Sequence, residues 1–358
     1  MFLILVISLL SFAFTMYFIP FLIRGLTERG VVVKDYYKLK PTYIPDKGGL
    51  AIMFACGLMI CLFPILVYLT RRFIDIFKIS FIAREPYILP MNDAIILTVL
   101  VFGIFGLMDD YIDLGRPLKA ILPVFFTTPM ILAVDPNYLE LPLVGMVDLQ
   151  TNIVWVITYS VFFRFVIIPL YILVSANLVN MHSGFNGQAT GTTLIVLVAL
   201  IVKSQWMLNA TSDIVAIGAV AGALAALWWF NFFPSRIIEG NNGALMIGSA
   251  IGIIIAAKGF LISGFIMLIP HTVNFLLYVY WRVQRLRFPK DPAYRARKFG
   301  KIRKDGTLKV PNRMTLKWVL PYHYRMTEKQ AVLAMYLLTA IFCIIGLLIP
   351  GEGAFYTI

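Results

Sequence analysis

Long apolar runs separated by shorter polar segments make up most of this sequence. A helix that spans a membrane needs about 20 mainly apolar residues. Ten runs meet or approach that length, and 190–203 and 243–257 are the short ones. The runs cover residues 1–23, 48–69, 92–108, 117–134, 157–179, 190–203, 213–233, 243–257, 259–281 and 331–349. This pattern predicts an all-α polytopic membrane protein with about ten transmembrane helices.

The segments between the runs predict the rest of the organisation. Residues 137–150, NYLELPLVGMVDLQ, are typical of a short β-hairpin or a loop. The longest polar segment, 282–330, is rich in Lys and Arg and too short to enclose a core of its own. We therefore predict one membrane domain, 1–358, in which 282–330 is a basic cytoplasmic loop.

The charge pattern and the composition also predict the orientation of the chain in the membrane and the chemical class of its partners. Most of the 31 Lys and Arg residues lie in loops that follow odd-numbered runs, so those loops are predicted to be cytoplasmic and both termini outside. A composition of 60% apolar and 14% charged residues excludes an ordinary soluble domain. The net charge of +13 favours an anionic partner such as a lipid headgroup, a nucleotide or phosphate. We expect membrane lipid as the surroundings and no nucleic acid partner.

Polar side chains gather in five clusters beside the apolar runs. Every cluster belongs to a loop that the charge pattern assigns to the cytoplasmic face. The clusters are 35–49, 109–119, 177–191, 231–243 and 282–330. Because all five fall on one side of the membrane, we predict that they converge into one site on the cytoplasmic face.

The second cluster concentrates carboxylates at the end of an apolar run. Asp109, Asp110 and Asp113 fall within five residues, and Lys119 follows. Neighbouring carboxylates repel each other unless a cation or a shared proton relieves them. Mg²⁺ suits such a group, and Lys119 could meet a phosphate as a point charge. The alternative is a helix end solvated by charge.

Amides and guanidinium groups form two further candidate sites. Asn177 and Asn180 are three residues apart at the end of an apolar helix, so they share a face. Their amides fit a nucleobase edge or a metal's coordination shell, although a helix cap and turn is an equal alternative. Arg295 and Arg297 could fork onto a diphosphate, whereas membrane orientation alone explains most of the basic run.

Four motifs in order resemble those of the polyprenyl-phosphate N-acetylhexosamine-1-phosphate transferases, a superfamily of ten-span membrane enzymes. The resemblance covers nearly the whole chain and is nearest to the branch that uses dolichyl phosphate and GlcNAc-1-phosphate. The motifs are GLMDDYIDLGRPLKAILP (106–123), NLVNMHSGFNG (177–187), FNFFPSRIIEGNNG (230–243) and RARKFGKIRKDGTLKVPNRMTL (295–316).

This resemblance implies a reaction and a role for each matching residue. A UDP-sugar, UDP-GlcNAc in this branch, would bind with Mg²⁺, and a polyprenyl or dolichyl phosphate would attack it to give lipid-diphosphate-GlcNAc and UMP. The implied roles are metal binding for Asn180 and Asn241, uridine contact for Asn186, diphosphate binding for Lys119 and Arg295, sugar contact for Arg297 and Asp46, and an essential chemical role for Asp109 and Asp110. We place Asn177 among the substrate-binding residues.

Two positions depart from the superfamily's pattern. Asn241 stands where relatives have a metal-binding aspartate, which removes one negative charge from a Mg²⁺ site with few ligands. Asp109, Asp110 or Glu239 could supply that charge, the substrate diphosphate could hold the ion unaided, or the activity could have changed or gone. Ala296 replaces a histidine between the two arginines, which weakens the inference about the sugar.

Two alternatives to an active transferase follow. One is a membrane transporter of an anionic solute, and the other is a degenerate, non-catalytic relative. The sequence leaves open whether the protein forms a homodimer and whether its membrane is an archaeal plasma membrane or the endoplasmic reticulum.

Overall fold

The computed structural model describes residues 2–77, 88–112, 115–154, 157–208, 214–291, 294–295, 297 and 299–356. Most of these residues are helical. The helices are α1 Phe2–Glu28, α2 Gly49–Phe77, α3 Ile88–Ile112, α4 Arg116–Phe125, α5 Thr128–Ala133, α6 Tyr159–Phe162, α7 Ile168–Met181, α8 Gln188–Leu208, α9 Val215–Asn231, α10 Gly240–Lys258, α11 Leu261–Met267, α12 Ile269–Arg287, α13 Leu316–His323 and α14 Glu328–Leu347. A π-helical turn, Phe163–Ile167, joins α6 to α7.

Short antiparallel strands occur beside the helices, so the prediction of an all-α chain was too narrow. The strands are β1 Val32–Asp35, β2 Thr42–Pro45, β3 Tyr138–Leu141, β4 Gly145–Asp148, β5 Asn152–Val154, β6 Ile157–Thr158, β7 Lys301–Ile302, β8 Leu308–Lys309 and β9 Gly353–Phe355. β3 and β4 form the hairpin expected at 137–150, with Tyr138 opposite Asp148, and β9 pairs with the free edge of β3. The other strands form two-stranded sheets, β1–β2, β5–β6 and β7–β8.

The helices confirm an integral, multi-pass membrane protein. Six described helices are long and apolar enough to cross a membrane, and the pair α11–α12, bent by 64°, would make a seventh. The six are Leu3–Glu28, Met91–Ile112, Tyr159–Met181, Gln188–Trp206, Gly240–Lys258 and Glu328–Leu347. The two short runs of the sequence, 190–203 and 243–257, are both among them. Three shorter apolar helices, Gly49–Leu62, Ile121–Ala133 and Val215–Asn231, lie within predicted runs, so a total of ten spans stays a prediction.

Helix α10 lies at the centre of the bundle and packs against α7, α3 and α8. It is almost wholly buried from Asn242 to Lys258. Its contact with α7 is close enough that a Cβ built at Gly252 would overlap the backbone of Ile172. Small residues allow helices to approach in this way inside a membrane, where lipid offers no hydrophobic drive to associate. The N-terminus of α10 is thereby fixed against its neighbours.

Residues 282–330 are more structured than a plain loop. α12 extends into them as far as Arg287, and the β7–β8 hairpin and α13 follow. β8 and α13 share a second small apolar cluster with the first loop, the turn after α7 and α14. Its buried members are Tyr37, Phe185, Leu308, Trp318, Ala331 and Val332. The basic segment is therefore packed onto the helix bundle at the place where the polar clusters meet.

Candidate active site

All five polar clusters contribute to the wall of one cavity of about 410 Å³. The predicted convergence of these segments is therefore confirmed by their positions. The wall includes Asp35 and Asp46 from the first cluster, Asp110 from the second, Asn180 and Asn186 from the third, Glu239 and Asn241 from the fourth, and Phe299 from the fifth.

Backbone hydrogen bonds hold the first cluster against the fourth. The N–H of Ile238 donates to the carbonyl of Pro45 at 2.8 Å, and the N–H of Gly48 donates to the carbonyl of Ile238 at 2.7 Å. The N–H of Gly49 then donates to Glu239 at 2.8 Å. This pairing joins the β1–β2 hairpin to the start of α10, and so it brings Asp46 into the cavity that Asn241 also lines.

A lysine links the acidic residues of the cavity. Lys47 Nζ donates to Asp46 Oδ2 at 2.9 Å and to Asp110 Oδ2 at 2.6 Å. Asn241 Nδ2 donates to the other oxygen of Asp110 at 2.7 Å. Burial alone would lower the pKa of Lys47, but its bonds to Asp110 and Asp46 raise that pKa above the usual value, so the side chain is a fixed cation.

Asp109 and Asp110 are adjacent in α3 but have different partners. Asp109 Oδ1 forms an ion pair with Lys119 Nζ at 2.8 Å, outside the cavity wall. The end of α3 comes very close to α10, because a Cβ built at Gly106 would overlap the backbone of Asn242. This close approach is what brings Asp110 within reach of Asn241.

The third cluster contributes Asn180 and Asn186 to the cavity, and Asn186 belongs to a buried network. Its Nδ2 donates to Asp35 Oδ2 at 2.9 Å, and its backbone N–H donates to Glu328 Oε1 at 2.8 Å. Lys38 Nζ lies 2.9 Å from both Asp35 Oδ2 and Glu328 Oε2. The turn that carries Asn186 is thus fixed through both its side chain and its backbone.

The sequence is similar to that of known membrane transferases. The family model described as glycosyl transferase family 4 matches residues 93–258. A protein of Saccharolobus solfataricus, provisionally named a UDP-N-acetylglucosamine–dolichyl-phosphate N-acetylglucosaminephosphotransferase, is 28% identical over 95% of each chain. A protein of Sulfolobus acidocaldarius with the same provisional name is 28% identical over 79% of each chain. A phospho-N-acetylmuramoyl-pentapeptide-transferase of Acetivibrio thermocellus is 29% identical over 69% of this chain and 71% of its own.

These matches support the polyprenyl-phosphate hexosamine-1-phosphate transferase superfamily as the family that this chain resembles. The predicted site residues divide into two groups by their positions. Asp46, Asp110, Asn180, Asn186 and Asn241 line the cavity.

The other predicted residues lie outside the cavity wall. Arg295 and Arg297 are exposed, and Asn177 is exposed with its Nδ2 bonded to the Leu173 carbonyl of its own helix at 2.9 Å. Asp109 and Lys119 form the neighbouring ion pair. Asp113 and Ala296 lie outside the described residues.

The oxygen donors around the cavity fit a hard cation such as Mg²⁺. Asp110, Asn180 and Asn241, which all line the cavity, have carboxylate and amide oxygens. The described residues contain no cluster of three His, Cys, Asp or Glu side chains that could hold a metal by themselves. Mg²⁺ sites that use one or two carboxylates and take their remaining ligands from substrate phosphates match this small set.

The sequence did not point to several residues of the site. Lys47 follows Asp46 directly, but a single lysine in a loop gives no sign that it joins two carboxylates. Glu328 follows the helix cap Thr327, where an acidic residue is expected from the helix dipole alone. The sequence also gave no sign of two buried groups with shifted pKa values: burial raises the pKa of Glu239 to about 7 and lowers the pKa of Lys317 to about 8.

Proposed function

We propose that the protein transfers GlcNAc-1-phosphate from UDP-GlcNAc to a polyprenyl or dolichyl phosphate. An oxygen of the lipid phosphate forms a bond to the β-phosphorus of the donor. The bond from that phosphorus to the bridging oxygen breaks, and UMP leaves with its electron pair. The products are lipid-diphosphate-GlcNAc and UMP, and the total charge is unchanged.

The observation that carries this proposal is the convergence of five distant segments into one cavity. Carboxylates and amides line that cavity, Lys47 binds two of the carboxylates, and the described part of the chain offers no Ser or Cys nucleophile with a base among them. Transfer of a phosphoryl-type group depends mainly on positioning and charge neutralisation. The relatives' names, which combine UDP-N-acetylglucosamine with dolichyl phosphate, support the same donor and acceptor.

The residues of the chain take the following roles in this proposal. Lys47 and Asn241 hold Asp110 in place beside the donor's phosphates, and Asp109 positions Lys119 at the cavity's edge. Asn180 and Asn241, with Asp110, are the residues that would hold Mg²⁺, which when bound neutralises phosphate charge. Asn186 contacts the uridine, and Asp46 contacts the sugar. Arg295, Arg297 and Asn177 reach the substrate from the rim.

The membrane topology is part of the proposal. Ten spans with both termini outside would put the cavity at the cytoplasmic face, where the basic segment meets the anionic donor. The positive charge of the loops that form the cavity supports this orientation. Cysteine accessibility to an impermeant reagent at single introduced cysteines near residues 43 and 143 tests it, because the two hairpins should label from opposite sides.

The direct test is transfer by membranes that contain the full chain. Radiolabelled UDP-GlcNAc and polyprenyl phosphate should yield label that partitions into organic solvent, with release of UMP, and EDTA should abolish it. Asp110→Asn should remove this activity, while Asp148→Asn, in the exposed β4 strand, should keep it. Saturable uptake of UDP-GlcNAc into vesicles without organic-soluble product would favour a transporter instead.

The bend between α11 and α12 is the feature that a transporter would share, since broken helices carry transporter binding sites. His271 lies just beyond that bend, is fully buried, and is 3.4 Å from Thr192 Oγ1. His271 is not among the described residues that line the cavity with Asp110, Asn180 and Asn241. A non-catalytic relative is the other alternative, and activity that appears only in Asn241→Asp would establish it.

A further inference from the structure

The amide of Asn186 is held by a group that can only accept hydrogen bonds. Asn186 and Asp35 are both nearly inaccessible to solvent, with 3% and 7% of their surface exposed, and both line the cavity. Their side chains meet through Asn186 Nδ2 and Asp35 Oδ2 at 2.9 Å. An ionised carboxylate has no hydrogen to donate, so the nitrogen end of the amide must face it.

This contact removes an ambiguity that an asparagine side chain otherwise has. A free amide can rotate by half a turn and exchange its acceptor for its donors at little cost. Rotation of Asn186 would set its oxygen against the Asp35 carboxylate, and a buried acceptor facing an acceptor is strongly unfavourable. The oxygen of Asn186 is therefore kept on the side away from Asp35.

Asp35 is itself fixed. Lys38 Nζ lies 2.9 Å from Asp35 Oδ2 and 2.9 Å from Glu328 Oε2, and Glu328 Oε1 accepts the backbone N–H of Asn186. The network ties together the first loop, the turn after α7 and the start of α14. Fully satisfied buried networks of this kind hold their members rigidly.

We infer that Asp35 is a positioning residue that makes the nucleotide site selective for uracil over cytosine, because it holds the Asn186 oxygen ready to accept a hydrogen bond from the base. Uracil carries a hydrogen on N3, whereas N3 of cytosine is an acceptor. The inference rests on the proposed function, in which Asn186 contacts the uridine. A site built to accept a hydrogen bond rejects an analogue that lacks the donor, since its own polar group is then left unpaired.

The test is competition by UDP and by CDP for bound radiolabelled UDP-GlcNAc on the full chain in detergent. Wild type should prefer UDP, and Asp35→Asn should lower the UDP:CDP preference by about tenfold or more, because two facing amides can pair in either orientation. A variant that only loses structure would bind UDP and CDP more weakly by the same factor. An unchanged preference in Asp35→Asn would overturn the inference.

An exchange of the two side chains supplies the control. In Asp35→Asn/Asn186→Asp the amide donates to the carboxylate, which again presents only an acceptor to the base, so the preference for UDP should return. If Asp35→Asn does not fold, the double variant still tests the inference. A double variant that does not prefer UDP over CDP refutes it. Wild type that binds neither nucleotide, or both equally, would instead count against the proposed donor.

Discussion

Replacement of Lys47 by methionine tests how the acidic site is held together. Lys47 Nζ makes charged hydrogen bonds of 2.6 Å and 2.9 Å to Asp110 and Asp46, and the three side chains are only 11–16% exposed. Each bond to a charged group contributes about 1.5–3 kcal/mol, and removal of one partner of a buried pair costs about 3–5 kcal/mol. The cavity lets water reach the two carboxylates, so we expect a loss near the lower limit, about 3 kcal/mol.

The loss can be measured by thermal unfolding of the detergent-solubilised protein with a thiol-reactive dye, since Cys56 and Cys343 are buried in the folded state. About 3 kcal/mol should lower the apparent Tm by about 4 °C in a chain of this size. Arg24→Met is the control, because the Arg24–Glu28 pair is 81% and 61% exposed and should contribute little.

A second substitution tests the cause of the loss. In Lys47→Met/Asp46→Asn only one carboxylate remains without its cation, so part of the lost Tm should return. If Lys47→Met unfolds at the wild-type temperature, or if the double variant is less stable than the single one, the carboxylates do not depend on Lys47 and the reasoning is wrong.

Four further outcomes follow from the site. Asn241→Asp should lower the Tm in EDTA, because it replaces a hydrogen-bond donor to Asp110 with an acceptor. Added Mg²⁺ should raise the Tm of this variant more than it raises the Tm of wild type. Asp110→Asn should reduce transfer at least about 100-fold. Arg295→Gln and Arg297→Gln should raise the KM for UDP-GlcNAc about tenfold while leaving Tm unchanged, because both side chains are exposed. Burial lowers the pKa of Lys317 to about 8, so wild type should gain stability relative to Lys317→Met as the pH rises from 8 towards 10.5.

The length of the apolar runs predicted the membrane helices, because a helix that spans a membrane needs about 20 mainly apolar residues. The helices lie where the apolar runs predicted them, including 190–203 and 243–257, which looked too short. Their ends were missed because polar residues such as Gln188 and Gly240 begin helices that continue in the apolar runs. The short strands at 32–35 and 42–45, which pair with each other, were missed because strand formation depends more on tertiary context than on local sequence.

The sequence predicted which residues belong to the site better than it predicted which of them contact one another. The clustered carboxylates pointed to Asp110 and the family resemblance pointed to Asp46 and Asn186, and all three line the cavity. Their partners, Lys47 and Asp35, could not be chosen, because an ion pair between residues 63 positions apart leaves no local pattern. Long-range partners of this kind are fixed by packing, which a single sequence does not display.

The amide at position 241 has a consequence for the order of events at the site. A carboxylate there would face Asp110 at hydrogen-bond distance, and the two charges would separate unless a cation lay between them. The amide instead donates to Asp110 at 2.7 Å, and Lys47 binds the other oxygen of the same carboxylate. Asp110 therefore keeps its position before any metal or nucleotide arrives, and the charge that Mg²⁺ must offset comes mainly from the donor's phosphates. A site built in this way should bind Mg²⁺ weakly alone and much more strongly together with UDP-GlcNAc.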